Sequence, residues 1–186
     1  MNEDNIYSAD LAEIIITEDE LKKRIKELSV DITNSYNPEE EIVMVCILRG
    51  AVLFMADLAR EINLPVVFDF MDVSSYGEAT TSSGVVRIIK DLDENIEGRH
   101  VLIVEDIMDT GITLKYVVEM LKTRKPASIK MVTLLEKPER RVEKHIEADF
   151  NGFEIPNKFV VGYGLDFAER YRNLPYIGVL KKELYS

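Results

Sequence analysis

Residues 101–114 read VLIVEDIMDTGITL and predict a buried strand, a tight polar loop and the start of a helix. The first four residues are all apolar, which is typical of a strand buried on both faces of a parallel sheet. Three acids follow, Glu105, Asp106 and Asp109, before an apolar helical pattern starts at Leu114. Because ligands bind at the carboxyl ends of the strands in open α/β sheets, we expect a binding site in this loop.

The loop DTGIT at residues 109–113 is expected to bind a phosphate. Its backbone N–H groups and the helix N-terminus favour an anion, and two threonine hydroxyls can donate to it. Glu105 and Asp106 must then have another task, because they would repel a phosphate. Adjacent acids can accept hydrogen bonds from a sugar diol or hold Mg²⁺, and Asp109 can exchange a proton with a reactant. The segment therefore predicts a site for a phosphorylated sugar, without a Walker or GxGxxG loop.

This order of residues resembles the phosphoribosyl-pyrophosphate motif of the type I phosphoribosyltransferases: an apolar strand, two acids, two spacers, Asp-Thr-Gly, one spacer and Thr. The resemblance implies an α/β fold with a mostly parallel twisted sheet flanked by helices. It also implies a small hood formed by the N- and C-terminal segments, and a mobile lid hairpin. We therefore expect one domain over residues 1–186, with its core at about 40–140, its hood at about 1–20 and 150–186, and its lid at about 74–84.

Composition agrees with a single enzyme domain. The chain has 186 residues, of which 46% are hydrophobic and 31% charged, so it can bury a sizeable core. Its net charge of −11 argues against a nucleic-acid partner. No segment is apolar enough to span a membrane, and no signal peptide is recognisable, so we expect a cytoplasmic protein without a membrane partner. The single cysteine, Cys46, lies in an apolar run and is predicted to be a buried structural thiol.

The remaining elements follow from local patterns. Thr17 and Glu20 form a capping box that begins a helix, which Asn37-Pro38 follows. Further strands are predicted at residues 42–48, 65–71, 85–90, 129–135, 159–163 and 174–180, and further helices at residues 51–58 and from residue 114. The charged residues 139–152 predict a solvated connection, and His100 and His145 are expected at the surface.

The turn after the first of these strands is a candidate pyrophosphate site. From the residues alone an ordinary βα turn is an equal alternative, and residues 74–84 alone predict a mobile hairpin loop. In hypoxanthine-guanine phosphoribosyltransferases, which this chain resembles, such a turn binds pyrophosphate through its backbone and can contain a cis peptide. That family also closes a Ser-Tyr lid over the reacting centre, which excludes water. The residues implied for pyrophosphate are Leu48, Arg49, Gly50, Ser75, Tyr76 and Arg172.

The stretch FEIPNKFVVGYGLD at residues 153–166 resembles a signature of enzymes that use 6-oxopurines. Alone it predicts a core phenylalanine and an exposed charge. The resemblance implies that Phe159 stacks on the base, that the Val160 backbone contacts the base edge, and that Asp166 holds Mg²⁺ with pyrophosphate. Lys137, after the preceding strand, would donate to the 6-oxo group. An amino group there would leave the ammonium facing another donor, so adenine should be rejected.

The implied activity is transfer of the 5-phosphoribosyl group from phosphoribosyl pyrophosphate to hypoxanthine and guanine. Asp109 would be the catalytic acid or base, and Mg²⁺ would be the cofactor, held by Glu105, Asp106 and Asp166. The residues implied for the phosphoribosyl group are Glu105, Asp106, Asp109, Thr110, Gly111, Ile112 and Thr113. Arg49 and Ile112 stand where other members carry lysine. The family resemblance also implies a homo-oligomer, a dimer or a tetramer. A xanthine-preferring enzyme and a nucleotide-responsive regulator of the same fold are the alternatives.

Overall fold

The computed structural model describes residues 6–75 and 86–185. In that part of the chain the strands are β1 (Leu11–Ile16), β2 (Ile42–Leu48), β3 (Val66–Ser75), β4 (Val86–Lys90), β5 (His100–Met108), β6 (Ser128–Glu136), β7 (Phe150–Glu154), β8 (Val160–Val161) and β9 (Ile177–Leu180). The helices are α1 (Glu18–Asn34), α2 (Val52–Glu61) and α3 (Ile112–Lys122).

Six strands form the main sheet in the order β4-β3-β2-β5-β6-β7. All neighbouring pairs are parallel except β3 and β4, which pair as antiparallel strands. This arrangement confirms the predicted α/β fold with a mostly parallel sheet. The strands β2, β5 and β6, each with at least four consecutive buried residues, lie side by side in the centre, where helices can cover both faces.

The core is built by alternation along the central strands. Met44 and Cys46 in β2 belong to the apolar cluster that includes α1 and α2, whereas Val43 and Val45 belong to the cluster that includes α3. Neighbouring residues of a strand point to opposite faces, so a continuous apolar run satisfies both clusters at once. Cys46 is fully buried, as predicted, and burial raises the pKa of its thiol to about 12.

The capping box at the start of α1 is confirmed. The Glu20 N–H donates to Thr17 Oγ1 at 3.4 Å, and the Thr17 N–H donates to Glu20 Oε2 at 2.8 Å. The inner face of α1 carries the predicted apolar stripe, of which Leu21, Ile25, Leu28 and Ile32 are all buried. Among the described residues, no helix combines the length and the apolar character needed to cross a membrane.

A second, antiparallel sheet of three strands forms from both ends of the chain in the order β1-β9-β8. Leu11 in β1 lies opposite Leu180 in β9, and Val161 in β8 lies opposite Gly178. The small terminal hood of the predicted fold class is therefore present. The sequence analysis missed β1, whose burial along the strand does not alternate and whose partner is more than 150 residues away. The division into core, hood and lid ranges stays a prediction.

Several predicted boundaries were wrong. β3 extends through Ser74 and Ser75, which were expected in the lid, and the rest of the predicted lid, including Tyr76, lies outside the described residues. The strand predicted at residues 159–163 is only the two residues of β8, because Gly162 turns the chain with a φ of +103°. His100 is partly buried, and its Nδ1 lies 2.8 Å from Ser128 Oγ.

The connection predicted at residues 139–152 is mostly exposed through residue 149, as expected, but its last residues begin β7, the sixth strand of the main sheet. Within it Arg141 is largely buried and pairs with Glu136 at 3.0 Å, and Asn151 donates to the other oxygen of Glu136 at 3.0 Å. The dense charge therefore indicated the exposed part correctly, but it did not indicate the strand or the buried ion pair.

Candidate active site

The candidate residues meet at the carboxyl edge of the main sheet. Three parallel neighbours, β2, β5 and β6, end at this edge, and the segments that follow them carry the predicted site residues. The Lys137 N–H donates to the Met108 carbonyl at 3.0 Å, which joins the start of two of these segments. The parallel strands thus bring together residues from distant parts of the sequence.

The predicted phosphate loop is a tight turn that leads into α3. Gly111 is the N-cap of the helix with a φ of +81°, and the Ile112 N–H lies 3.4 Å from Thr110 Oγ1. The Thr110 carbonyl accepts from the N–H groups of Val142 and Glu143, each at 3.0 Å. The charged connection therefore supports the loop from outside. A cavity of about 180 Å³ lies against it, lined by Ile47, Leu48, Val73, Glu105, Ile107, Asp109, Thr110, Gly111, Thr113 and Leu114.

The side chains of Glu105 and Asp106 lie on opposite sides of β5, near its end. Glu105 lines the cavity of the phosphate loop, as does Ile107 two residues on. Asp106 faces the other side, where its Oδ2 lies so close to Gly50 that a Cβ there would be 1.5 Å away. The sequence analysis treated the two acids as one pair, but alternation along β5 separates their side chains.

Both carboxyl groups are held in an unfavourable environment for a charge. Burial, followed by the neighbouring Asp106, raises the pKa of Glu105 well above its usual range. Burial also raises the pKa of Asp106 to about 6, although Arg172 opposes the shift. The Oε2 atom of Glu105 is buried and has no hydrogen-bond partner among the described residues. Such a buried acceptor is costly unless a ligand supplies the missing donor.

The turn after β2 touches the segment that follows β8. The peptide bond between Leu48 and Arg49 is cis, as the family resemblance implied. Gly164, with a φ of +100°, approaches the turn so closely that a Cβ would lie 1.9 Å from the Gly50 carbonyl oxygen. Glycine is needed at both contacts, at Gly50 against Asp106 and at Gly164 against Gly50. The close approach brings three of the predicted ligand-binding segments together.

Arg172 is the centre of a charged network beside this turn. Its Nη2 lies 3.0 Å from Asp166 Oδ1, and its Nη1 donates to the Gly164 carbonyl at 2.8 Å. Glu169 links Arg172 to Arg49, with one carboxylate oxygen 3.1 Å from Arg172 Nη2 and the other 3.2 Å from Arg49 Nη1. The Glu169 N–H also donates to Asp166 Oδ2 at 2.9 Å. Arg49 and Arg172, the two arginines predicted to bind pyrophosphate, are therefore joined by Glu169, which was not predicted from the sequence as a site residue.

The three acids predicted to hold Mg²⁺ do not form a closed cluster. Within residues 6–75 and 86–185, no group of three or more His, Cys, Asp or Glu side chains is placed to hold a metal ion. The donor set still fits Mg²⁺, because that ion commonly takes one or two protein carboxylates and completes its shell with water and substrate phosphates. Asp106 and Asp166 lie close enough that the second charge adds to the rise in the pKa of the first.

Asp109, the predicted catalytic acid or base, lies beside two cations. Arg140 contacts it with two nitrogens, Nε at 2.9 Å from Oδ1 and Nη2 at 3.3 Å from Oδ2. Burial lowers the pKa of Lys137, and the charge of Asp109 opposes that shift. An acid and a half-buried ammonium therefore lie next to each other at the ends of β5 and β6.

Phe159, the predicted stacking residue, has two aromatic neighbours. Tyr185 stacks on it with ring centroids 4.7 Å apart and an interplanar angle of 24°, and Phe167 packs edge-on at 5.6 Å. The ring is still 36% exposed. Val160 is buried in β8 and pairs with Val179. The second aromatic platform, Tyr185, was not identified from the sequence because it is the penultimate residue and lies outside every motif.

The structure thus gathers nearly all of the predicted site residues at one edge. It describes the backbone of Ser75 at the end of β3, whereas Tyr76 lies outside the described residues. Sequence analysis missed Arg140 and Glu169. The dense charge of residues 139–147 was a weak signal for the first, since an arginine close after Lys137 could reach the same edge.

Comparison with known proteins identifies similar chains. Residues 13–168 match the family model of the phosphoribosyl transferase domain. The hypoxanthine-guanine phosphoribosyltransferase of Bacillus subtilis is 55% identical over 177 residues, which cover 95% of this chain and 97% of that protein. A bifunctional protein TilS/HprT of Listeria monocytogenes is 56% identical over 178 residues, and the match covers 95% of this chain but 27% of that protein. The crystal structure of a hypoxanthine phosphoribosyltransferase from Staphylococcus aureus superposes with a TM-score of 0.94 at 49% identity, covering 99% of both chains.

Proposed function

The chain belongs to the phosphoribosyl transferase family, and we propose that it transfers the 5-phosphoribosyl group from phosphoribosyl pyrophosphate to hypoxanthine and guanine. The products would be IMP or GMP and pyrophosphate, so the enzyme would serve purine salvage. The observation that carries the proposal is the position of Asp109. It lies between the phosphate loop and Lys137, where an acid can meet a base and a sugar phosphate together.

The phosphoribosyl group is proposed to bind along the cavity at the end of β5. Its 5-phosphate would accept from backbone N–H groups of residues 110–113 and from the hydroxyls of Thr110 and Thr113. The ribose hydroxyls would donate to Glu105 and Asp106. The unpartnered Oε2 of Glu105 supports this assignment, because a hydroxyl would provide the donor that the buried oxygen lacks.

Pyrophosphate is proposed to bind on the other side of Asp106, at Leu48, Arg49, Gly50 and Arg172, with Ser75 and Tyr76 as the proposed lid pair. Glu169 contacts both Arg49 and Arg172, and pyrophosphate, which carries more negative charge, would displace it from these two arginines. Asp106 and Asp166 would hold Mg²⁺, whose positive charge would offset the negative charge of the departing pyrophosphate. Glu105 stays a proposed metal ligand on the cavity side.

The base is proposed to stack on Phe159, with its edge at the Val160 backbone and its 6-oxo group at the Lys137 ammonium. Asp109 would accept the proton from the purine ring nitrogen. That nitrogen bonds to the anomeric carbon of the ribose while the bond from this carbon to pyrophosphate oxygen breaks, and the electron pair leaves with pyrophosphate. The positive charge that develops on the sugar is expected to be stabilised by the surrounding carboxylates, so positioning and charge would supply most of the rate.

The test is pyrophosphate release from phosphoribosyl pyrophosphate with Mg²⁺, with hypoxanthine, guanine, xanthine and adenine offered separately. We expect turnover with the first two and none with adenine, because adenine has an amino group where Lys137 would donate. Turnover mainly with xanthine would keep the reaction and change the base preference. No turnover with any base would overturn the proposal and favour a nucleotide-responsive regulator.

Two further expectations belong to the same proposal. We propose a cytoplasmic location, where phosphoribosyl pyrophosphate and free purines are both available. We also propose a homo-oligomer, a dimer or a tetramer, which size-exclusion chromatography with light scattering would test. A mass of one chain, 21.3 kDa, at micromolar concentration would contradict the oligomer.

A further inference from the structure

Arg140 makes a two-point contact that the residue roles above leave unexplained. It lies in a short 3₁₀ turn, Pro138–Arg140, directly after Lys137. Its Nε lies 2.9 Å from Asp109 Oδ1 and its Nη2 lies 3.3 Å from Oδ2, so the planar guanidinium faces both oxygens of one carboxylate. A two-point contact fixes the orientation of a carboxylate, which a single hydrogen bond does not.

The contact is too exposed to be explained by stability. The side chain of Arg140 is 47% exposed and that of Asp109 39%. Ion pairs at this level of exposure contribute little to folding. Asp109 itself follows the end of β5 in an open loop, so without a partner its side chain could adopt several rotamers, most of them unsuitable for proton transfer.

The contact also leaves room for a substrate. An ionised carboxylate offers about four lone-pair positions, and the guanidinium uses one on each oxygen. A second position on either oxygen can accept an N–H from a purine. The other charged groups that face Asp109 are the Lys137 ammonium and the carboxyl group of Glu105, which lines the same cavity.

We propose that Arg140 is a positioning residue for the transfer, which orients the Asp109 carboxylate toward the base. The inference rests on the proposed function, since it assigns Asp109 the purine proton. It predicts that loss of Arg140 affects the use of the base and leaves the binding of phosphoribosyl pyrophosphate unchanged, because the phosphate loop is supported independently by the backbone of Val142 and Glu143.

The test compares Arg140→Ala and Arg140→Lys with the unaltered protein. For Arg140→Ala we expect kcat/KM for hypoxanthine to fall roughly 10- to 100-fold, the scale of one lost charge-assisted hydrogen bond, while KM for phosphoribosyl pyrophosphate stays within about twofold. Arg140→Lys should restore only part of the rate, since lysine keeps the charge but lacks the planar fork.

Arg124→Ala is the matched control. Arg124 also contacts both oxygens of an aspartate, Asp91, at 2.7 Å each, and its loss changes the net charge equally. It lies at the C-terminal end of α3, beside the start of β5 and away from the carboxyl edge. We expect kcat/KM for hypoxanthine in Arg124→Ala to match that of the unaltered protein.

Unchanged kcat/KM for hypoxanthine in Arg140→Ala would overturn the inference while leaving the proposed function intact. A loss that appears only in KM for phosphoribosyl pyrophosphate would overturn it too, since it would assign Arg140 to the phosphate loop. Absence of turnover in the unaltered protein would instead contradict the proposed function. Thermal unfolding of each variant separates these outcomes from misfolding.

Discussion

Asp69 in β3 and the two acids near the end of β5, Glu105 and Asp106, are carboxyl groups enclosed by the same sheet. They differ in the hydrogen bonds that their oxygens accept. Asp69 is 2% exposed, and it accepts from the N–H groups of Phe70 at 2.7 Å, Asp93 at 3.0 Å and Glu94 at 2.8 Å. Glu105 has a buried Oε2 without a hydrogen-bond partner in residues 6–75 and 86–185, and burial raises the pKa of both Glu105 and Asp106. Both oxygens of Asp69 are hydrogen-bonded within the described structure, whereas Oε2 of Glu105 is not.

The difference separates a carboxylate that stabilises the fold from one that we propose to bind a substrate. Asp69 ties β3 to the turn that follows β4, so its hydrogen bonds stabilise the fold. An unsatisfied buried oxygen costs roughly 1–3 kcal/mol, which folding alone does not recover. We infer that Glu105 tolerates this cost because a substrate supplies the donor that the protein withholds.

The largest expected effect concerns the exposed acid of the site. Asp109→Asn should lower kcat with hypoxanthine roughly 10²- to 10⁴-fold, because the amide cannot accept the purine proton. Its thermal unfolding should hardly change, since Asp109 lies in an open loop. A rate loss below tenfold would remove Asp109 from its proposed role and weaken the contrast with Asp69.

The opposite pattern is expected for Asp69→Ala. This change leaves three backbone N–H groups without an acceptor and should destabilise the fold by about 3–5 kcal/mol, measured by urea unfolding. Asp31→Ala on the exposed face of α1 is the control and should change the unfolding free energy by less than about 0.5 kcal/mol. A loss under about 1 kcal/mol for Asp69→Ala would mean that the turn after β4 holds without this carboxylate.

The raised pKa of Asp106 should make the free energy of unfolding depend on pH in a specific direction. The pKa of Asp106 is raised to about 6 from its ordinary value of 3.8, so the folded protein binds this proton more tightly than the unfolded chain. Its ionisation therefore costs nothing below about pH 3.8 and opposes folding increasingly as the pH rises through about 6. Asp106→Asn avoids the cost, and its stability relative to the unaltered protein should increase by about 2–3 kcal/mol between acid and neutral pH.

Thermal unfolding of both proteins between about pH 4 and pH 8, without substrate or metal, measures this difference. Asp31→Asn serves as the control, and its stability should differ from that of the unaltered protein by the same amount at every pH. A constant difference for Asp106→Asn across the range would show that the carboxyl group is solvated in the folded protein.

The smallest expected effect concerns Glu169, which lies on the surface beside the site. Arg172 lowers the pKa of Glu169 through their hydrogen bond, so the acid stays charged and competes with an incoming anion for two arginines. Glu169→Gln should therefore bind magnesium pyrophosphate a few-fold more tightly, by about 3- to 10-fold, in isothermal titration calorimetry. Glu183→Gln, at an exposed position near the C-terminus, is the control. Weaker binding would indicate instead that Glu169 holds the arginines in place.

Local sequence was sufficient where neighbouring residues determine the structure. The capping box at Thr17 and Glu20 and the buried strand β2 were predicted correctly. The order of strand, loop and helix in residues 101–114 was also correct, although β5 extends through Met108 and α3 begins at Ile112. Each depends on periodicity, capping or loop composition within a few residues. The same logic missed β7 and the buried pair of Arg141 with Glu136, because both depend on the neighbouring strand β6.

By itself the sequence determined the α/β class and the order of the motifs, because apolar runs and turn residues act over short distances. Only the tertiary structure decided how the motifs meet. The placement of Asp106 against Gly50, of Arg140 on Asp109 and of Glu169 between two arginines depends on strand order and on close backbone approach. The contacts of Asp106 with Gly50, of Arg140 with Asp109 and of Glu169 with Arg49 join residues that are 31 to 120 positions apart, and no local pattern encodes a partner at that distance.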